Sequence, residues 1–446
     1  MNLDERLENV SVIGAGGKMG SGISVLIAQE MAKLKVENRD KTYRLNLIDV
    51  QEAALDGLRT FIKAQTTKLA EKSIVALRSM YADREDLVEN WEIIDAFVDD
   101  TLSVIRLGSD LKMAERSQLV FEAIVEEETI KIKVLKELKE LCGRETFFLT
   151  NTSSIPIGFL DEEAGLSGRI IGYHFYNPPV VQRLVEVITA QTTHQELQEV
   201  GTELGKRLRK KLIPSNDISG FIGNGHFMRD GLYGIGEAER LQGEHSLPGA
   251  IYLMNRISQD FLIRPMGIFQ LIDYVGVDVF QCILKVMRRH LGDDALQSGL
   301  INLLVEKGVL GGQRADGSQK DGFLKYDHNR PVGVYDPLKG EYVPIAGKWQ
   351  EDLDAAIGPL PAGFSPWRKL LREPQREERL TAYFRNLAEA QTLGAELARA
   401  YLSRTKEIAE KLVQDGVAQS KEDVNAVLTN GFYWLYGPIN DYIGRD

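Results

Sequence analysis

Short apolar runs alternate with longer stretches of helical periodicity over the first half of the chain. Val10 to Ile13 is an aliphatic run ending in a glycine cluster, the pattern of a buried strand. From Ile23 to Leu34, the residues Ile23, Leu26, Ile27 and Met31 fall on one helical face. Tyr43 to Val50 reads as a second strand with Asp49 near its end, and the charged stretch from Glu52 to about Tyr81 as helical. Leu119 to Val125 and Phe147 to Thr150 are two further strands joined by a helix from Thr129 to Cys142. Arg169 to His174 and Leu184 to Ile188 complete the set. Strand and helix alternating in this way predict a mainly parallel sheet covered on both faces, an α/β fold of Rossmann type.

Beyond about Pro214 the strand pattern fades and long amphipathic helical stretches follow, punctuated by Gly231, Gly234, Gly249 and Gly276. A domain boundary is therefore expected near Asp217. Within this all-α region, "RPMGIFQLIDYVG" (Arg264 to Gly276) has a shorter echo in "WLYGPINDYIG" (Trp434 to Gly444). Both carry a glycine followed by Asp-Tyr-aliphatic-Gly, which points to two diverged helical repeats. Asn329 to Pro366 is rich in Gly, Pro and Asp and reads as a long linker or loop; it contains "DPLKGEYVPIAGKW", to which no role attaches. The expected division is 1–216, 217–330 and 331–446.

Composition narrows the function classes. With 446 residues, 43% hydrophobic and 27% charged, the chain is a folded protein of more than one domain. A formal net charge of -11 argues against wholesale binding of nucleic acid or anionic membrane, though not against a local anion site. Two cysteines, Cys142 and Cys282, offer neither a disulfide framework nor a CxxC pattern. The six histidines are scattered, so no zinc site is expected. Met1 to Val10 is acidic and lacks the marks of a targeting segment, and no run of about 18 apolar residues suggests a membrane span. A cytoplasmic location is expected.

"VSVIGAGGKMGSGI" sits where the first strand meets a helix. Its glycines Gly14, Gly16, Gly17, Gly20 and Gly22 let a backbone approach a pyrophosphate, with Lys18 and Met19 completing the turn. The helix that follows offers free N–H groups and partial positive charge at its start. Asp49 closes the next strand, where a carboxylate can accept from a ribose hydroxyl pair and repel a 2′-phosphate, favouring NAD over NADP. It would serve equally as a helix N-cap. The spacing Gly14-x-Gly16-x-x-x-Gly20 is one residue longer than GxGxxG, and Asp49 is set back by the polar stretch "KVENRDKTY".

His174 precedes an aromatic pair and an Asn-Pro-Pro turn, and Glu186 lies twelve residues on within an apolar strand. A carboxylate amid Leu184, Val185, Val187 and Ile188 is costly to bury without a partner, and a histidine that becomes charged during reaction is a suitable one. The pair suits general-base chemistry, with His174 taking a hydroxyl proton and Glu186 fixing its tautomer. Taken alone, each residue fits a structural role too.

Four segments in order, "LTNTSSIPI", "GYHFYNPP", "RLVEVI" and "SGFIGNGH", resemble the 3-hydroxyacyl-CoA dehydrogenase family, over residues 10 to about 330. "RPMG" with Asp273 to Gly276, and "GGQRADGSQKDGFLKYD" (Gly311 to Asp327), are similar to the family's helical domain. The resemblance implies that Ser153 hydrogen-bonds the substrate oxygen, His174 is the base, Glu186 its partner, and Asn224 positions the histidine or the substrate. It also implies that Glu126, Lys131 and Asn151 lie around the dinucleotide; ordinary helix-start charge and a solvated lysine are the plain alternatives for the first two.

The chain departs from the family at Gly225-His226, where the family usually has arginine after the asparagine. Residues after about 330 resemble the second helical repeat of fused multifunctional members, which leaves monomer and homodimer both open. The reaction implied is NAD-dependent oxidation of a (S)-3-hydroxyacyl-CoA, with a small acyl-CoA as partner. Arg59, Lys63, Lys68 and Lys72 are candidates to meet CoA phosphates, or simply a solvated helix face. A dehydrogenase of a non-thioester 3-hydroxy acid or sugar acid, and a non-catalytic NAD-binding protein, are the alternatives.

Overall fold

The computed structural model describes residues 1–314 and 317–442. Gly444 of the C-terminal echo, and Ala315 and Asp316 of the glycine-rich segment, lie outside the described residues. The chain forms two compact units, Met1–Asp217 and Ile218–Asp446.

The first unit is built on an eight-stranded sheet. Its strands are β1 (Asn9–Ile13), β2 (Arg44–Ile48), β3 (Ile105–Gly108), β4 (Leu119–Glu122), β5 (Phe147–Thr150), β6 (Ile170–Phe175), β7 (Leu184–Thr189) and β8 (Lys211–Asn216). They lie in the order β3-β2-β1-β4-β5-β6-β7-β8, all parallel neighbours except the antiparallel pair β6 and β7. The central strands are apolar because helices cover both faces, and Val10, Val12, Leu45, Leu47, Leu119 and Leu149 are buried accordingly. The order turns back between β1 and β4, which opens a crevice at their carboxyl ends. Two strands escape the apolar pattern. β3 is an edge strand with Arg106 and Leu107 exposed, and β8 is an edge strand that carries Pro214. The helical stretch read as continuous after Asp49 is three helices, Glu52–Leu55, Leu58–Lys72 and Ile74–Met80. Gly57 breaks it, with a φ of +77° that helix cannot accommodate.

The second unit is mostly helical but not all-α. A three-stranded antiparallel sheet, β9 (Leu324–Asp327), β10 (Arg330–Asp336) and β11 (Glu341–Pro344), occupies part of the expected linker. "DPLKGEYVP" is the hairpin between β10 and β11, and its remainder opens the helix Gly347–Ile357. The turn from β9 to β10 places His328 and Asn329 at positive φ, as a two-residue hairpin requires. Val334 and Tyr335, successive residues that face opposite sides of the sheet, are both buried, so this end of β10 is covered on both faces. The core draws on both sides of residue 330: Phe261, Ile268 and Phe269 share one cluster with Tyr383, Phe384 and Tyr401.

Two loops in this unit are built alike. Asn255 presses against Gly267, where a Cβ would lie 2.3 Å from its Oδ1, and that oxygen accepts from Gln270 N. Asn425 presses in the same way against Gly437, and its Oδ1 accepts from Ile439 N. Four residues before each glycine stands a non-glycine residue at positive φ, Ile263 and Tyr433. The buried guanidinium of Arg264 stacks 3.8 Å from the Trp434 ring and pairs with Asp230 at 2.9 Å.

Candidate active site

The glycine turn joins β1 to the helix Lys18–Glu37. Gly14 takes a φ of +80°, and a Cβ there would meet Ala123 O at 2.6 Å. At Gly20 a Cβ would stand 2.0 Å from Gly14 O, so the helix can begin only where no side chain intervenes. At Gly16 it would strike Ala54, and at Gly22 Pro179 of the Asn-Pro-Pro turn. Gly17 is the N-cap, and it has no side chain with which to cap the first turn. This bare helix start, with the carboxyl ends of β1 and β4 beside it, fits a dinucleotide pyrophosphate. Lys18 stands at this start, and burial lowers its pKa to about 8. Met19 follows it in the same turn.

Asp49 follows β2 and faces the glycine turn. One carboxylate oxygen accepts from Gly16 N at 3.0 Å and the other from Gln51 N at 3.1 Å. Each oxygen keeps a lone pair in reserve, so two ribose hydroxyls still find acceptors.

A second cluster lies at the ends of β4 and β5. Glu126 Oε1 faces five donors from one short turn: Thr152 Oγ1, and the backbone and hydroxyl groups of Ser153 and Ser154. Its other oxygen is 3.4 Å from the ammonium of Lys131, which also meets Glu122 at 2.7 Å. Thr150 donates to the second oxygen of Glu122 at 2.6 Å. Burial works against the charge of both Glu126 and Lys131. Their mutual attraction, the carboxylate of Glu122 and the hydrogen bonds outweigh it, so Glu126 sits below the usual carboxylate range and Lys131 above the usual amine range. Lys131 is thus not a solvated lysine: it is 1% exposed. Asn151 Oδ1 accepts from Phe175 N, tying the end of β5 to β6.

His174 on β6 and Glu186 on β7 are direct partners in the antiparallel register. Such partners stand side by side on one face. The imidazole Nδ1 lies 3.3 Å from Glu186 Oε1, and Glu186 is fully buried. Tyr176, two residues beyond His174, donates to that same oxygen at 2.5 Å.

The structure therefore brings Ser153, Glu126 and Lys131 into one network, and His174 and Glu186 into another. Asn224 stands on the opening turn of the helix Phe221–His245 in the second unit. Sequence reasoning missed Glu122, Thr150, Thr152, Ser154 and Tyr176. A glutamate ending an apolar strand, nine residues before a lysine on a helix start, was the available signal for Glu122.

The helix Leu58–Lys72 contributes Lys68 and Lys72 to a cleft of about 690 Å³, lined also by Lys33, Arg183, Arg209 and Lys210. Arg59 and Lys63 are exposed and are not among its lining residues.

Residues 9–218 match the family profile for the 3-hydroxyacyl-CoA dehydrogenase NAD binding domain, and residues 257–326 match that for the C-terminal domain. A protein of Deinococcus radiodurans named probable 3-hydroxybutyryl-CoA dehydrogenase is 31% identical over 323 residues, covering 71% of this chain and 99% of that protein. The human mitochondrial hydroxyacyl-coenzyme A dehydrogenase is 29% identical over 323 residues, covering 70% of this chain and 91% of that protein. The solved 3-hydroxybutyryl-CoA dehydrogenase from Escherichia coli K12 shares the fold, with a TM-score of 0.61 at 22% identity over 97% of this chain and 90% of that one. This chain belongs to the 3-hydroxyacyl-CoA dehydrogenase family and is an NAD-dependent oxidoreductase.

Proposed function

We propose that the protein oxidises the 3-hydroxyl of a (S)-3-hydroxyacyl-CoA to the 3-ketone, and that His174 is its general base. The observation that carries this reading is the His174 and Glu186 pair, fixed by strand register beside a glycine-rich nucleotide turn. His174 takes the hydroxyl proton as the C3–H bond breaks, and Glu186 holds Nδ1 so that Nε2 faces the substrate and the new imidazolium is stabilised. Bound NAD would supply the hydride acceptor for C3. Ser153 donates to the substrate oxygen. Its hydroxyl contact with Glu126, 3.2 Å, is the longest of the five, so that proton is the easiest to redirect. In the reverse direction Ser153 and the protonated histidine polarise the ketone.

The carboxylates of Asp49 and Glu126 and the amide of Asn151 are assigned to the cofactor side. Gly14, Gly16, Gly17, Lys18, Met19 and Gly20 form the pyrophosphate turn, and Lys131 acts through Glu126. Asn224 is assigned to positioning on the family resemblance. A CoA thioester as substrate is supported by the basic cleft around Lys68 and Lys72, which suits the phosphates of CoA. We also infer that the second unit holds two diverged helical repeats. Asn425, Tyr433 and Gly437 each lie 170 residues after Asn255, Ile263 and Gly267, the elements of the two like-built loops.

The test is NADH formation from (S)-3-hydroxybutyryl-CoA and longer homologues by the wild type, His174→Gln and Glu186→Gln. Both substitutions should cut turnover by about 10²-fold or more, the scale of a lost general base. No turnover on any acyl-CoA, with NAD still bound, would overturn the thioester reading.

A further inference from the structure

The register that sets His174 opposite Glu186 brings a third side chain to the carboxylate. Tyr176 is two residues past His174, so it leaves the chain on the same side. Its ring centre is 4.9 Å from that of the imidazole. Its hydroxyl and the imidazole Nδ1 share one acceptor, Glu186 Oε1, at 2.5 Å and 3.3 Å respectively. The phenol holds the short, charge-assisted bond, while the imidazole stands at a distance where a hydrogen bond is weak. Burial and the Glu186 charge push the phenol well above its ordinary pKa, so it stays protonated and donates throughout the working range.

A phenylalanine at this place would supply the aromatic ring that packs in the turn. Only the hydroxyl reaches Glu186. Each hydrogen bond a carboxylate accepts draws charge from it and weakens its pull on any other donor. A phenol in constant contact with Oε1 therefore limits how strongly Glu186 supports positive charge on the imidazole.

We propose that Tyr176 is a positioning residue that divides the Glu186 carboxylate between phenol and imidazole and thereby sets the basicity of His174 toward the substrate hydroxyl. This rests on His174 being the base.

The experiment uses three full-length proteins: wild type, Tyr176→Phe, and one with a fluorinated tyrosine at position 176. Fluorination makes the phenol a stronger donor at nearly constant shape, so this variant keeps the fold even if the Phe variant does not. Two quantities are read. In the Phe variant the Nδ1-bound proton of His174, seen by NMR with ¹⁵N-labelled histidine, moves downfield as the imidazole gains the carboxylate. In the fluorotyrosine protein it moves upfield. On the alkaline plateau, kcat for oxidation follows the order Phe, Tyr, fluorotyrosine, each step about threefold, as Brønsted behaviour of the base requires. KM for the acyl-CoA stays within about twofold, because binding is not involved. A merely structural role would lower kcat in both variants and leave no such order. Equal resonances, or a kcat order that ignores donor strength, would overturn the inference. If His174→Gln and Glu186→Gln stay fully active, the base assignment itself fails. If those two are inactive and the graded order is absent, only the role of Tyr176 falls.

Discussion

Lys131 is 1% exposed, and its ammonium lies between two carboxylates, 2.7 Å from Glu122 and 3.4 Å from Glu126. The turn carrying Ser153 hangs on Glu126, so the lysine shapes that turn from one residue away. Removing the ammonium leaves Glu122 fully buried without its countercharge. Lys131→Met should therefore cost about 3–5 kcal/mol in urea-induced unfolding, the scale for breaking a buried pair from one side. Adding Glu122→Gln to Lys131→Met should recover part of that loss, because the uncompensated charge goes with it. A cost below about 1 kcal/mol for the single substitution, near that of an exposed pair, would show that water already reaches the network. At this scale the sequence is readable only where a residue is out of place for its pattern. Glu186 amid aliphatic residues was legible. Tyr176 was not, because an aromatic beside a turn fits packing as well as hydrogen bonding.

Among the elements, the glycine turn holds a helix start against a strand end by the absence of side chains. Gly20→Ala would put a methyl 2.0 Å from Gly14 O, a backbone atom that cannot swing aside. The turn must open, and NAD affinity should fall by at least about tenfold, which is ~1.4 kcal/mol, while His174 and Glu186 keep their register. Calorimetric titration of NAD into the variant reads the change directly; unaltered affinity would mean that the pyrophosphate does not sit on this helix start. The same turn shows what periodicity conveys. The inner strands β1, β2, β4 and β5 are buried on both faces, so they appear as aliphatic runs and were found within a few residues of their ends. β3 and β8 lie at the sheet edges, where one side faces solvent and the apolar signal thins out. The β9 to β11 sheet was hidden for a different reason. Its turn residues, Gly, Pro and Asp, look like a linker, while the strands between them bury few apolar side chains, Leu324, Val334 and Tyr335, and show no clean alternation. The antiparallel β6 and β7 pair was legible as two strands, but its direction was not, and direction is what brings His174 to Glu186.

At the scale of the whole molecule, the departure from the family at Gly225-His226 has a physical cause within the second unit. A Cβ on Gly225 would lie 3.1 Å from Leu412 of the helix Leu393–Gln414, so glycine permits that close packing. His226 is fully buried, edge-on to Trp434, with Nε2 3.3 Å from Thr405 O. Both contacts are made with the C-terminal half of the unit, the part inferred to be the second repeat. Burial lowers the His226 pKa to about 4; the Asp230 carboxylate opposes this and the Arg264 cation adds to it. An unfolded histidine titrates near 6.5. Between these two values the unfolded chain binds a proton that the folded chain refuses, so stability falls as pH drops through that window. The loss amounts to about 3 kcal/mol once pH is below 4. His226→Phe keeps the edge-on ring contact but cannot take up the proton. It should be less stable than wild type near pH 7, where the bond to Thr405 is lost, and the gap should narrow or reverse by pH 4. Urea unfolding of both proteins across that range reads this gap, and the comparison cancels every other titrating group. A gap that stays constant with pH would mean that His226 is not held neutral by burial, and that the packing of the two halves of the unit tolerates a charge at its centre.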